Sequence, residues 1–396
     1  MPTTDSVTPQ TQAVPPSHPS NGVAIPATEP TIRVRLHRVG AGQPVTIGEA
    51  NQALTIRGGG ANMQLIGTVT LWREGGHWAS RQGNPLPSVI INARTIDVSA
   101  TGPMQVSGES DRRYPTTIRC VADGESFDVI NVTPMSKYIP GVLAGELFEG
   151  WHDAAFEAQA VAARSFAVSE CAQRENRHWD VTDTPASQHY IGVPTWPQAQ
   201  STAAATAGQV LTFDNQIVAG YFSSCCGGRA ATAHDAVGPN PINSLAPLDG
   251  HGNPAACTHA PRYTWSESWD AKDVAKALQK FGARVGRSDL KKIHSVTAIR
   301  PIKPNQHGRP TMLDVGGAEV RCVDLPGIFT ESGLKAPPSG WVSGRVRSGT
   351  LYLEGHGFGH GVGLCQYGAE DLASKSSAAN DILQFYYPGA SITKAW

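Results

Sequence analysis

Between Gly355 and Ala369 the chain reads GHGFGHGVGLCQYGA, with glycine at 355, 357, 359, 361 and 363 and a different residue at each position between. In an extended strand successive side chains point to opposite faces. A strict period of two therefore strips one face bare and loads the other with His356, Phe358, His360, Val362 and Leu364. Glycine weakens a strand and has no side chain to pack, so five in register predict a flat neighbour on the bare face, either another backbone or a ligand.

At 396 residues, with 40% apolar and 16% charged residues, the chain has the composition of an ordinary globular protein and the length for two or three domains. Its formal net charge of -1 supplies no basic field for nucleic acid or an anionic membrane surface. No apolar run reaches the roughly 18 residues of a membrane helix. The longest candidate, 154–168, is broken by Glu157, Gln159 and Arg164. Seven cysteines leave at least one thiol without a partner in the chain. The opening MPTTDSVTPQ has neither a Lys/Arg start nor an apolar core, so it does not read as a signal peptide.

The organisation expected is α+β, with a β-rich N-terminal region before a mixed core that carries an inserted smaller subdomain. Residues 1–30, rich in Pro, Thr and Ser, predict a disordered tail. Short β-rich runs separated by turn signals predict a β domain over 31–128. The core then spans 129–396. Within it, Asp153 is the expected N-cap of an alanine-rich helix to about Arg174, and Asp214-Asn215 the expected turn of a hairpin. A second helix is expected from near Ser268, with Val274, Leu278 and Phe281 at helical spacing, and 264–350 is the expected insertion.

Several polar residues stand in apolar settings. Glu146, in VLAGELF, has neighbours that exclude water, which raises a carboxyl pKa and suits a general acid. Arg164 and Gln159 have no polar partner three or four residues away on their own helix, so their partners must lie elsewhere, in a structural contact or in a ligand. His356 and His360 cannot share one ion if they lie in a strand, where four residues span about 13 Å. The candidate ligands Cys225, Cys226, Cys257 and His259 match no strong zinc signature, and in an exported protein a disulfide from Cys225 or Cys226 to Cys257 is the simpler expectation. HExxH, GxSxG, P-loop and dinucleotide motifs are absent, so no cofactor is expected.

Taken together, YIPGVLAGELFEGWHDAAFEAQAVAARSFA (138–167), YFSSCCGGRA (221–230), GHGFGHGVGLCQYGA (355–369) and ILQFYYPGASI (382–392) resemble one family of bacterial wall proteins. It comprises stage II sporulation protein D and the amidase enhancers. The resemblance covers about 129–396, and the β-rich region resembles the family's variable N-terminal part. Sporulation members are lytic transglycosylases acting on glycan strands that an amidase has stripped of stem peptides; other members stimulate an amidase. The resemblance implies an envelope location, peptidoglycan strands and a wall amidase as partners, and Glu146 as the catalytic acid, in place of the family's GVVxxEMPxxW glutamate. Arg164 falls on the arginine of AQAVAAR, and His360, Gln366 and Tyr367 fall on GHGVGMSQYGA. With Gln159, His189, Tyr190, Ser223 and Ser224 these are the expected substrate-binding residues. Leu147-Phe148 replaces the family's Met-Pro, and Cys365 stands where serine is common. Some members bind zinc through a cysteine near DTTHCQ; that stretch here reads DTPASQHY, with Ser187 at the cysteine position, so this zinc site is not expected. Trp151, Phe358 and Tyr367 are available for sugar stacking, and Asp183 is the candidate second carboxylate.

Overall fold

The computed structural model describes residues 22–37, 43–81, 86–108, 112–254 and 256–396. Of the expected tail, 1–21 lies outside the described residues. From residue 22 onward the chain is laid on the body of the protein: Val23 is buried, Ala24 bridges to Gln216, and Glu29 accepts a hydrogen bond from the Ser136 amide.

The β-rich region forms an eight-stranded sheet. Its order is Val181–Thr182, Thr31–Arg35, Ser126–Pro134, Thr117–Asp123, Thr95–Ala100, Val45–Gly58, Ala61–Glu74, His77–Arg81. Every pair is antiparallel except the first, in which Val34 and Arg35 run parallel to Val181 and Thr182. Alternate residues such as Ile32 and Val34 are buried, the pattern of a sheet with one covered face.

Helix α1 (Met135–Glu146) leaves the sheet directly after Pro134. Helix α2 (Asp153–Gln173) begins one residue past its N-cap, His152, and is buried on nearly every side, as its alanine content allows. Helix α3 (Pro197–Ala205) and the hairpin Gln209–Phe213/Gln216–Ile217 follow, with Asp214 and Asn215 both at positive φ, as a tight two-residue turn requires. One continuous apolar core joins the sheet to these helices.

A separate core belongs to a second unit, a six-stranded antiparallel sheet ordered Thr264–Asp270, Thr350–His356, Val342–Arg347, Ala298–Pro304, Pro310–Val315, Ala318–Arg321. Helix α4 (Ala271–Arg284) covers it, with Val274 and Leu278 buried and Asp270 as N-cap. Ser268 thus lies in a strand rather than at the helix start, and the sheet continues to His356, past the expected boundary at 350. Helices α5 (Gln366–Ser374) and α6 (Ala379–Tyr386) return the chain to the main core. The architecture is α+β.

The glycine-rich segment corrects the strand expectation. The strand ends at His356, and Gly357, Gly359, Gly361 and Gly363 have φ of 77°, 96°, 79° and 64°. A period of two is met here by a ribbon in which every second residue is left-handed, a conformation that glycine takes without a Cβ penalty. At Gly357 and Gly363 the flat neighbour is the chain's own backbone, while Gly355 lies against the Trp265 ring and Gly361 against the Arg309 guanidinium. A Cβ on Gly363 would sit 2.1 Å from the Tyr221 carbonyl oxygen, and one on Gly357 would sit 2.6 Å from that of Cys225. Phe358 and Cys225 exchange backbone hydrogen bonds, and Phe222 and Ser223 pair in parallel with Leu364 and Cys365.

Candidate functional site

Glu146 is the last residue of α1, half-buried at the edge of a cleft of about 720 Å³. Two glycines one turn apart on α1 place it. A Cβ on Gly145 would come 2.1 Å from the His189 carbonyl oxygen, and one on Gly141 equally close to that of Gly192, so the segment 189–192 can cross α1 at this distance because both positions lack side chains. That crossing brings the His189 amide to donate to Glu146 Oε1 at 2.7 Å, while His189 Nδ1 meets the Gly145 carbonyl at 2.7 Å. From the opposite wall, Gln366 Nε2, on the first residue of α5, donates to Glu146 Oε2 at 3.1 Å.

Burial pushes the Glu146 pKa above the usual glutamate value. The two hydrogen bonds, and the charge of His189, pull the other way without overcoming it. The position at a helix C-terminus, the negative end of the macrodipole, also disfavours the ionised carboxyl. The site therefore favours the protonated carboxyl more than water does, and two donors stand ready for the anion.

Beside Glu146 stands an aromatic wall of Phe148, Trp151 and Tyr367, with ring centroids 5.1 to 6.3 Å apart and Phe148 58% exposed. Across the cleft the ribbon presents Phe358, 48% exposed, and His360. His360 Nδ1 accepts from the Val362 amide, and burial holds its pKa down at about 4, so the ring is neutral. His189, Ser223, Ser224, His360, Gln366 and Tyr367 all line this cleft with Glu146. A second cavity of about 720 Å³ shares Pro185, Ala186, Ala236, Val323, Gly359 and His360 with it, so the groove continues between the main body and the second unit.

Three expected substrate contacts are corrected. Arg164 is buried and faces inward, donating to the Gln209 carbonyl at 2.9 Å and the Ala203 carbonyl at 3.3 Å, which ties the end of α3 to the following strand. Burial pushes its guanidinium down to about 10. Gln159 is fully buried inside the same helix and lines no part of the cleft. Tyr190 lies in the core between Tyr114 and Tyr138, its hydroxyl donating to Asn131 Oδ1. Protein meets the polar atoms of Arg164 and Tyr190, whereas the Gln159 amide is enclosed with no hydrogen-bond partner among the described residues. Arg164→Met is therefore expected to cost on the order of 3 kcal/mol of stability by orphaning buried carbonyls. Urea unfolding checks this; a raised KM at unchanged stability would instead put Arg164 on the substrate.

Asp183, the candidate second carboxylate, accepts from the His37 amide at 2.9 Å, lies 3.9 Å from Arg112 and does not line the cleft. A different carboxylate does: Glu170, paired with Arg174 at 2.8 Å. Its i,i+4 spacing with Arg174 is the only mark it leaves in the sequence, and that is also the mark of an ordinary surface pair. Among the candidate metal ligands, His259 is exposed with Asp371 at 3.6 Å, whereas Cys225 and Cys257 group with Cys365, and Cys226 lies alongside.

Residues 123–213, which carry Glu146 and His189, match the family model described as Stage II sporulation protein. Stage II sporulation protein D of Bacillus subtilis is 26% identical over 330 residues, covering 79% of this chain and 89% of that protein. Its namesake in Bacillus amyloliquefaciens is 27% identical over 278 residues, 66% and 75% of the two chains. The amidase enhancer of Bacillus subtilis is 23% identical over 296 residues, 64% of this chain and 40% of that protein. No helix among the described residues is long and apolar enough to cross a membrane.

Proposed function

We propose that this chain, similar to stage II sporulation protein D and to the amidase enhancer, is a cell-wall protein and a lytic transglycosylase of peptidoglycan glycan strands. The observation that carries this reading is Glu146: one carboxyl with a raised pKa, at the edge of an extended groove, beside exposed aromatic rings.

Protonated Glu146 gives its proton to the oxygen bridging MurNAc to GlcNAc as the bond from that oxygen to C1 of MurNAc breaks. The His189 amide and Gln366 then stabilise the carboxylate. The C6 hydroxyl of the same MurNAc closes on C1, and its proton passes to Glu146. A 1,6-anhydro ring forms, the acid is restored and no water is consumed. Phe148, Trp151 and Tyr367 offer faces for the sugar rings. Mass spectrometry of fragments from amidase-treated sacculi tests the reading: anhydro ends are expected. Reducing ends would mean that water is the acceptor, with Glu170 as the second carboxylate in reach of the cleft.

Cleavage is expected to fall as pH rises through the raised Glu146 pKa, because the acid must start protonated. The stability consequence has the same sign. A carboxyl whose folded pKa exceeds its unfolded value stabilises fully below the unfolded value, about 4.3, and loses that contribution as pH rises through the folded one. Urea midpoints measured across this window should decline in the wild type and decline less in Glu146→Gln.

The amidase enhancer supports a second reading, in which the groove binds glycan and stimulates an amidase. It predicts no fragments from the purified chain alone and faster peptide release when an amidase is added.

A further inference from the structure

We propose that Cys225, Cys226, Cys257 and Cys365 bind one tetrahedral divalent metal ion of the zinc class. The ion would be bound whatever chemistry Glu146 performs, and no residue of the 183–190 stretch takes part. The four cysteines come from three separate segments: the strand-like run beside the ribbon, the loop before Tyr263, and the residue preceding α5. All four are buried. The sulfurs of Cys225, Cys257 and Cys365 lie within 4.8 Å of one another, and that of Cys226 is 3.6 Å from that of Cys257. Four thiolates about 2.3 Å from one ion in a tetrahedron stand about 3.8 Å apart, so the cluster needs only small adjustments to close on a metal.

Two further features distinguish a thiolate site from a pair of disulfides. Backbone amides point at three of the sulfurs: Cys226 N to Cys365 Sγ, Gly227 N to Cys225 Sγ and Gly228 N to Cys226 Sγ, each at 3.4 Å. Such donors stabilise negative sulfur and orient a ligand shell, whereas neutral disulfide sulfur gains little from them. Arg309 is the second feature. It is 5% exposed, donates to the carbonyls of Cys226 and Arg229, lies over Trp341, and has no carboxylate ion pair among the described residues. A buried guanidinium requires counter-charge. A divalent ion with four thiolates carries a net double negative charge and supplies it; two disulfides do not.

The position gives the ion a task. It clamps the 225–226 run, the 257 loop and Cys365, and Cys365 is followed by Gln366, the donor to Glu146. In chain terms the clamp closes contacts 31 and 139 residues apart.

The test uses the full chain, expressed in zinc-supplemented medium and purified without chelator. Elemental analysis should find about one zinc per chain. Exchange for Co2+ should produce the intense visible bands and thiolate-to-metal charge transfer of a tetrahedral sulfur site. Cys365→Ser should lower the zinc content severalfold and alter the cobalt spectrum, while Cys171→Ser, outside the cluster, should change neither. Wild-type chain without zinc, whose cysteines resist alkylation on denaturation and whose mass is lower by two hydrogens per bridge, would replace the metal with disulfides and overturn the proposal. Full zinc content and an unchanged cobalt spectrum in Cys365→Ser would overturn the ligand assignment.

Discussion

Glu146→Gln is expected to lower glycan cleavage by about a hundredfold to ten-thousandfold while the chain stays folded. The amide matches the carboxyl in size and keeps an oxygen for the His189 amide, while Gln366 can rotate its own amide to present an oxygen to the new N–H. What is lost is the proton given to the leaving oxygen and the anion that takes it back. The desolvation that raises the Glu146 pKa is also relieved, so the variant's unfolding midpoint at neutral pH should equal or exceed that of the wild type. The check is release of anhydro-ended fragments from stripped glycan together with a thermal unfolding curve. Wild-type turnover in the variant would remove Glu146 from the chemistry and direct attention to Glu170, the other glutamate lining the cleft.

The second large effect is expected at Gly145, which contacts no substrate in this scheme. An added methyl meets the His189 carbonyl at 2.1 Å, and that neighbour is backbone, so the segment itself must move. Gly145→Ala should cost about 1–3 kcal/mol, the usual penalty of overpacking. It should also reduce cleavage per folded molecule about tenfold to a hundredfold, because displacing His189 weakens a hydrogen bond to a charged group worth about 1.5–3 kcal/mol. Gly327→Ala is the control for stability alone, since Gly327 lines the second cavity: it sits in the helix Asp324–Glu331 with nothing near its missing Cβ, and should be neutral or slightly stabilising. Urea midpoints on both variants, with single-turnover rates of Gly145→Ala and the wild type, separate the two contributions. Equal rates in Gly145→Ala and wild type would show that the His189 amide does not support the reacting carboxyl.

Much of this architecture is legible in the residues because it depends on local rules. The alanine run of α2, the Asp214-Asn215 turn and the apolar stripe of α4 each follow from propensity or periodicity within a dozen residues. Glu146 is legible for the same reason, since its sequence neighbours are also its apolar surroundings. Arg164 and Gln159 show where such reasoning stops. The lack of a charged or polar side-chain partner on α2 is visible in sequence, but α3 and a strand carbonyl complete Arg164, and neither is foreseeable from spacing. The ribbon gives a second case: a period of two is common to a strand and to alternating left-handed glycines, and the sign of φ leaves no trace in the letters. Cys365 joins cysteines 139 residues away only through the tertiary fold.

The strand Thr31–Arg35 has a partner on each side, Ser126–Pro134 and Val181–Thr182, and Arg33 holds Asp180 through a 2.5 Å ion pair. The chain that crosses α1 at Gly145 is thus anchored upstream by residues more than a hundred positions before it. A fragment starting at 129 would lose that anchor and bare the apolar side of α1. Any recombination that transplants the Glu146 cleft into another protein must carry the first sheet with it, and drift in that sheet's register will shift the donors set around Glu146.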